Sequence, residues 1–542
     1  MIRSVCNPFS RLSTSAVRTT QRVAKNSSPP PRPHLLTRHV TSAASSDLYA
    51  DHELRSPFPD ISTEVPRGGL ASFVMESFDE YGENPAITDV SSGFSMSFVE
   101  LRAAVCSVAS ALQRNHGFKK GDVLALYSPN HAHYFTVSHA VAALGGLVTP
   151  INPLYQGKEL DYQLAKSKAT LMVAHESVAE HAVEAASRTN GLIGPESTYI
   201  LDGTSASARP FEELLNASPS SSLPDVSIDP DSTVQLPFSS GTTGLPKAVE
   251  LTHRNLIVNL RQLGPGEGDF YVPGSSCFCP LPFFHIYGNV VGNNLTVYKG
   301  VHLVTAPRFD FTQLLQACQE LKVSRAHLVP PIILALAKEP VVDDYDLSSL
   351  GHILSAAAPL GADLQQALAG RIGCVVKQAW GMTELSPCGT VTSDVDYDAS
   401  CATSGVLVPN SKALIVDVDS GEPMDPGKEG ELWIAGPHVM KGYLDNPAAN
   451  ERDIVEAGGE RYFKTGDIAK FDDKGRMFIT DRLKELIKVK GFQVAPAELE
   501  ELLISHPSIR DACVVGLDDE ESGELPTAVV VVKEGAGEVE AK

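Results

Sequence analysis

No Cys-x-x-Cys pair occurs among the nine cysteines, which are scattered at positions 6, 106, 277, 279, 318, 374, 388, 401 and 513. That spacing argues against a zinc site or a disulfide framework and for reduced thiols in a protein that is not secreted. Basic charge is in deficit: 44 Lys and Arg stand against 66 Asp and Glu, a net charge of −22. A general nucleic-acid binder needs a basic footprint, so that class is excluded, while an acidic surface by itself favours solubility. Residues 131–151 contain no Asp, Glu, Lys or Arg, yet they carry three histidines, a Gly-Gly and a proline. They are therefore expected to form a buried helix and strand, with no membrane span. What the first 46 residues lack is acid: Arg3, Arg11, Arg18, Arg22, Lys25, Arg32 and Arg38 precede the first carboxylate, Asp47. With frequent Ser and Thr, this is the composition of an organellar transit peptide, mitochondrial in the first instance, with plastid, peroxisome and cytoplasm as alternatives. A disordered tail carrying no address is the ordinary alternative. No internal repeat is evident.

What is present is an ordinary globular composition, 43% hydrophobic and 20% charged over 542 residues, enough for two to four domains. "SFVELRAAVCSVASALQRN" (97–115) has apolar residues at helical spacing, and the strand-like "VLALYS" (123–128) follows a Lys-Lys-Gly-Asp turn. Strands near "TLMVA" (170–174) and "TYIL" (198–201) continue an alternation that argues for α/β layers with largely parallel strands. From about 400 to 480 short alternating runs separated by Gly, Asp and Pro suggest a small β-rich subdomain, and 481–542 returns to α+β character.

The stretch "PFSSGTTGLPKAVEL" (237–251) crowds hydroxyls, glycines and a lysine together without being a Walker loop. A Walker lysine opens a helix, so that the helix N-terminus holds phosphate. Here Lys247 follows Pro246 and leads into "AVEL", which alternates like a strand; only Thr252 then offers an N-cap for "HRNLIVNLRQL". Such a loop can still wrap a pyrophosphate, since glycines permit unusual backbone angles, hydroxyls donate hydrogen bonds and lysine adds charge. A Gly/Thr-rich surface loop is the plain alternative.

Together with "QAWGMTE" (378–384), "GELWIAG" (430–436), "YFKTGD" (462–467) and "DRLKELIKVKGFQVAPAELE" (481–500), this loop resembles the motifs of the adenylate-forming enzymes, in the family's order. That family comprises acyl- and aryl-CoA ligases, beetle luciferases and peptide-synthetase adenylation domains. "LPFFHIYG" (281–288), "LVPPIILALAK" (328–338) and "SAAAPLG" (355–361) look most like its 4-coumarate–CoA ligase branch. The resemblance implies an α/β fold: a large N-terminal domain of two α/β subdomains and a small β-rich subdomain (47–482), then a small α+β lid domain (483–542). It also implies the chemistry. A carboxylate attacks the α-phosphorus of ATP, and CoA then attacks the resulting acyl-AMP, both steps resting on positioning and charge stabilisation.

Residue by residue, the resemblance implies that Ser239, Ser240, Gly241, Thr242, Thr243, Gly244 and Lys247 embrace the β- and γ-phosphates. Thr383 meets the α-phosphate, Glu384 holds Mg²⁺, and Trp380 lies on the adenine. Asp467 accepts the ribose hydroxyls, Arg482 reaches ribose or phosphate, and Gln493 the nucleotide. His285 orients the acid's carboxylate in a pocket walled by Tyr287, Ala357, Gln378 and Ala379. Lys484 is the hinge of the lid, Lys488 acts near the acyl-adenylate, and Lys490 and Gly491, with Arg308, meet CoA. Taken singly, each has a bland alternative: a core histidine, a turn aspartate, a solvated basic face.

Ala248, Ala356 and Ala379 stand where the family commonly has glycine. The chain ends at "GAGEVEAK", before the closing P-x-x-x-x-G-K motif that relatives carry, so the lid is expected to be truncated and to lack that lysine. Losing one such charge-stabilising donor costs about 2.7–4 kcal/mol. The expected function is an ATP-dependent acid–CoA ligase acting on 4-coumarate or a related aryl acid. The alternatives are a medium- or long-chain fatty acyl–CoA ligase and a nucleotide-binding protein with weak or no ligase activity. ATP, Mg²⁺ and CoA are the cofactors and co-substrates implied, and a small carboxylic acid is the partner, with the oligomeric state left open.

Overall fold

The computed structural model describes residues 49–50, 52–217, 220–239, 245–267, 271–393, 397–483, 487–489, 492–494, 496–504, 506, 508–519 and 523–533. Strand Val123–Tyr127 is apolar and buried at every position, as a strand covered on both faces must be. It pairs in parallel with Leu147–Ile151 on one side and Leu171–His175 on the other, and Thr198–Leu201 extends the sheet in parallel. Helix Phe98–His116 begins in a capping box, the Ser97 hydroxyl accepting from Glu100 N while the Glu100 carboxylate accepts from Ser97 N. It ends at Gly117, whose φ of 62° is the left-handed cap that glycine adopts without penalty. The uncharged stretch 131–151 is helix His133–Ala143 followed by strand Leu147–Ile151, both inside the protein. Among the described residues no helix is long and apolar enough to cross a membrane.

Toward its other edge this first sheet changes direction. Thr233–Gln235 pairs in parallel with Leu147–Ile151, and Lys247–Thr252 then runs antiparallel to it. Lys247–Thr252 also pairs antiparallel with Phe238–Ser239, with Ser239 opposite Lys247, so the two ends of the quoted loop are held as a hairpin. The expected cap at Thr252 is present: its hydroxyl accepts from Asn255 N, and Asn255 Oδ1 accepts from Thr252 N, opening helix His253–Glu267.

A second sheet places His302–Thr305, Ser276–Phe278, Arg325–Leu328, His352–Ser355 and Val375–Gly381 side by side in parallel. Pro85–Asp89 returns from the start of the chain to join its edge. The third sheet is antiparallel: Lys412–Val416, Gly430–Ala435, Glu460–Phe471 and Met477–Arg482 follow one another, with Glu53–Arg55 beside Lys412–Val416 and Tyr49–Ala50 beyond it. The last described residues form strands Ile487–Val489, Phe492–Val494, Ile509–Asp519 and Gly523–Val532 around helix Pro496–Ile504. Two α/β layers, a small β-rich unit and an α+β tail are thus the architecture expected from the sequence. The eight described cysteines are all unpaired thiols.

Candidate active site

The hairpin and the strand beside it each bring one hydroxyl to a single carboxylate. Ser239 Oγ and Tyr443 OH each donate to Glu384 Oε1 at 2.9 Å, and Glu384 itself is buried. Among the described residues both bonds fall on Oε1, so Oε2 is the atom that could meet a cation. A single carboxylate of this kind suits Mg²⁺, which keeps waters and takes its remaining oxygens from substrate phosphates. Among the described residues no group of three or more His, Cys, Asp or Glu is placed to hold a metal ion. Tyr443 comes from strand Gly442–Tyr443, paired to Lys247–Thr252. Burial and the neighbouring Glu384 push its phenol pKa far up, so it remains a donor. Lys247 lies over the Tyr443 ring at 4.0 Å and 3.3 Å from Asp453. Burial works against the Asp453 charge, but Arg452 and Lys247 outweigh it and hold the carboxyl below its usual range.

A second group assembles where the second and third sheets meet. Trp380, near the end of strand Val375–Gly381, donates Nε1–H to Asp467 Oδ2 at 2.8 Å. Asp467 Oδ1 is 3.4 Å from Arg482 Nε, its register partner on the adjacent strand. An indole, a buried carboxylate and a guanidinium are therefore gathered within one contact chain, although 102 residues separate Trp380 from Arg482.

The acyl-side candidates are distributed differently. His285 and Thr383 line one small cavity of about 60 Å³ with Pro150, Asn152, Gln163 and Phe238. The His285 ring is open to this space but surrounded by protein, and desolvation lowers its pKa. Its Nδ1 accepts from Tyr287 N at 3.4 Å, which leaves the ring proton on Nε2. Tyr287 is buried, and its hydroxyl donates to Leu354 O at 3.2 Å with His327 Nδ1 3.4 Å away. Gln378 is equally committed: its amide nitrogen donates to Leu360 O and Gln365 Oε1, and its oxygen accepts from Leu360 N. It fixes the turn that carries Ala357, which is exposed and sits at φ 73°. Ala379 is half-buried and pairs with Val391.

Arg308 is exposed just beyond strand His302–Thr305. Ser240, Gly241, Thr242, Thr243, Gly244, Lys484, Lys490 and Gly491 lie outside the described residues. Lys488 and Gln493 are described through their backbone, facing one another across the strand pair.

Three contributors escaped the sequence reading. Tyr443 lies within "GYLDNP" (442–447) and Asp453 in the helix that follows, where nothing local points to a site. Asn130 follows strand Val123–Tyr127 and pins the loop bearing His285: its amide donates to Leu281 O and Thr305 Oγ1, and its oxygen accepts from Phe283 N. Only tertiary contact reveals these roles. The segment after His285, Tyr287–Leu295, is wound as a π-helix, a geometry that recurs at functional sites.

The AMP-binding enzyme model matches residues 74–444, and the AMP-binding enzyme C-terminal domain model matches 498–542. 4-Coumarate–CoA ligase 2 of Petroselinum crispum is 36% identical over 489 residues, which cover 89% of this chain and 88% of that protein. Probable 4-coumarate–CoA ligase 2 of Dictyostelium discoideum is 37% identical over 524 residues, covering 93% and 86%. Among solved structures, ATP-bound MatB from Rhodopseudomonas palustris aligns with a TM-score of 0.77 at 25% identity, over 87% of this chain and 90% of that one.

Proposed function

Because the chain belongs to the AMP-binding enzyme family of adenylate-forming CoA ligases, we propose that it activates an aryl carboxylic acid of the 4-coumarate class and transfers it to CoA. The observation that carries the reading is the convergence at Thr383-Glu384. Thr383 shares a cavity with His285, while Glu384 is tied to the phosphate hairpin through Ser239. An acid held by His285 is thereby set beside the residues proposed for the phosphates. The 4-coumarate–CoA ligase relatives at 36–37% identity support the aryl acid.

In this reading the neutral His285 ring donates Nε2–H to the acid's carboxylate and leaves the second oxygen to attack the α-phosphorus. The bond from that phosphorus to the bridging oxygen breaks, and pyrophosphate leaves with the electron pair. Thr383 and the hairpin hydroxyls stabilise charge on the phosphoryl oxygens, and the Trp380–Asp467–Arg482 group holds the nucleoside. Mg²⁺ held at Glu384 supplies neutralisation of phosphate charge when bound. CoA sulfur then attacks the acyl carbon, and AMP leaves.

Acid-dependent ATP–pyrophosphate exchange across a panel of acids tests the proposal. Hydroxycinnamates are expected to exceed medium-chain fatty acids by about tenfold or more in kcat/KM, the discrimination a shaped apolar pocket supplies. Exchange with fatty acids alone would transfer the reading to a fatty acyl–CoA ligase. ATP binding without exchange for any acid would leave only a nucleotide-binding protein.

A further inference from the structure

A second cavity, of about 350 Å³, lies beside the phosphate hairpin and shares no lining residue with the His285 cavity. Tyr162, Lys166, Lys247, Leu444, Asn446 and Arg452 are among its walls. Its size falls within the range of small-ligand sites. Three cationic side chains line it, Lys166, Lys247 and Arg452, and the last two engage one anion, Asp453, Lys247 at 3.3 Å and Arg452 through Nε and Nη2 at 2.6 Å. Among the described residues Lys166 donates to a backbone carbonyl, that of Asp445, at 3.2 Å. The cavity is also coupled to the hairpin itself, since Tyr162 OH donates to Pro246 O at 3.0 Å.

In-line displacement at the α-phosphorus requires the attacking carboxylate and the departing pyrophosphate to lie on opposite sides of that atom. The two cavities meet opposite strands of the hairpin: the His285 cavity reaches Pro237 and Phe238, the basic cavity Leu245, Lys247 and Ala248. Lys247 lies over the Tyr443 ring and meets Arg452 through the Asp453 carboxylate that both engage, so cations extend from the hairpin to the cavity wall with one anion between them. We infer that this basic cavity is an exit site for pyrophosphate, with Lys166 and Arg452 receiving the leaving group after Lys247. The inference rests on the ligase reading above, but it assigns residues and a location that the reading does not need.

Calorimetric titration of the full chain with inorganic pyrophosphate and, separately, with ATP tests it, using Lys166→Ala, Arg452→Gln and the double variant. Each single change is expected to weaken pyrophosphate binding about fivefold and the double change about twentyfold, with less effect at high salt, as partly exposed charges imply. ATP affinity is expected to stay within about twofold, which also shows that the variants are folded. Unchanged pyrophosphate affinity in the double variant, with ATP binding intact, overturns the exit site and leaves the ligase reading standing. A parallel loss of ATP affinity also overturns it, because the cavity would then belong to the bound nucleotide. A wild-type chain that binds ATP but no pyrophosphate does the same.

Discussion

Trp380 carries two features that the proposed nucleotide site would use. Its ring offers a stacking face, and its Nε1–H fixes the Asp467 carboxylate proposed to accept the ribose hydroxyls. A hydrogen bond to a charged group contributes about 1.5–3 kcal/mol. Trp380→Phe keeps an aromatic face but removes that donor from Asp467, whose other carboxylate oxygen lies 3.4 Å from Arg482 Nε. The expected outcome is a rise in KM for ATP of about tenfold, with KM for the acid unchanged. Asp467→Asn, which removes the charge, is expected to exceed it. Steady-state kinetics with each substrate varied in turn checks this, and an equal rise in both KM values would mean that Trp380 supports the whole site. Trp380 and Asp467 could each be singled out in the sequence because each sits in a local motif. The bond joining them was not, since it spans 87 positions and depends on how two sheets meet.

At the scale of elements, strand Val375–Gly381 has to deliver Thr383 and Glu384 across the carbonyl of Pro387, and Gly381 is the residue that permits it. A Cβ at Gly381 would stand 2.1 Å from Pro387 O, a backbone atom that cannot swing away. Gly381→Ala must therefore displace the turn that carries the proposed phosphate and metal residues. Exchange activity is expected to fall about 10²-fold, as when a charge-stabilising donor is misplaced, while stability drops by about 1–3 kcal/mol. Gly370→Ala, where an added Cβ meets nothing within 4 Å, is the matched control and is expected to retain activity. Exchange assays and urea denaturation of both variants separate the effects; equal behaviour would discount the crossing. Elements were readable where local signals agreed, as in helix Phe98–His116 with its capping box, apolar spacing and terminal glycine. The π-helix Tyr287–Leu295 was not readable, because an apolar pattern does not distinguish i→i+5 from i→i+4 winding. Nor was the antiparallel seating of Lys247–Thr252, which depends on sheet neighbours distant in the chain.

For the molecule as a whole, acid should destabilise the fold despite its net charge of −22. Protonating surface carboxylates relieves self-repulsion, but those groups are mostly exposed, screened by salt, and titrate near pH 4. The buried histidines respond earlier and in the opposite sense. Burial holds His139, His253 and His302 down at about 4 and His438 at about 3, and desolvation pushes His327 well below its ordinary value. Several are also committed as neutral rings; His253 Nδ1, for example, accepts from Leu70 N at 3.0 Å. In the unfolded chain these imidazoles titrate near 6.5, so between about pH 6.5 and 4 the unfolded state binds protons that the folded state refuses. Stability is therefore full above 6.5 and lost as pH falls, each site contributing up to about 1.4 kcal/mol per pH unit. Urea denaturation midpoints are expected to fall from pH 7 to pH 5. His253→Asn, whose amide oxygen can still accept from Leu70, is expected to flatten that slope by about one proton's worth. A midpoint that rises through the same interval would show that surface repulsion, and not the buried rings, governs this protein's response to acid.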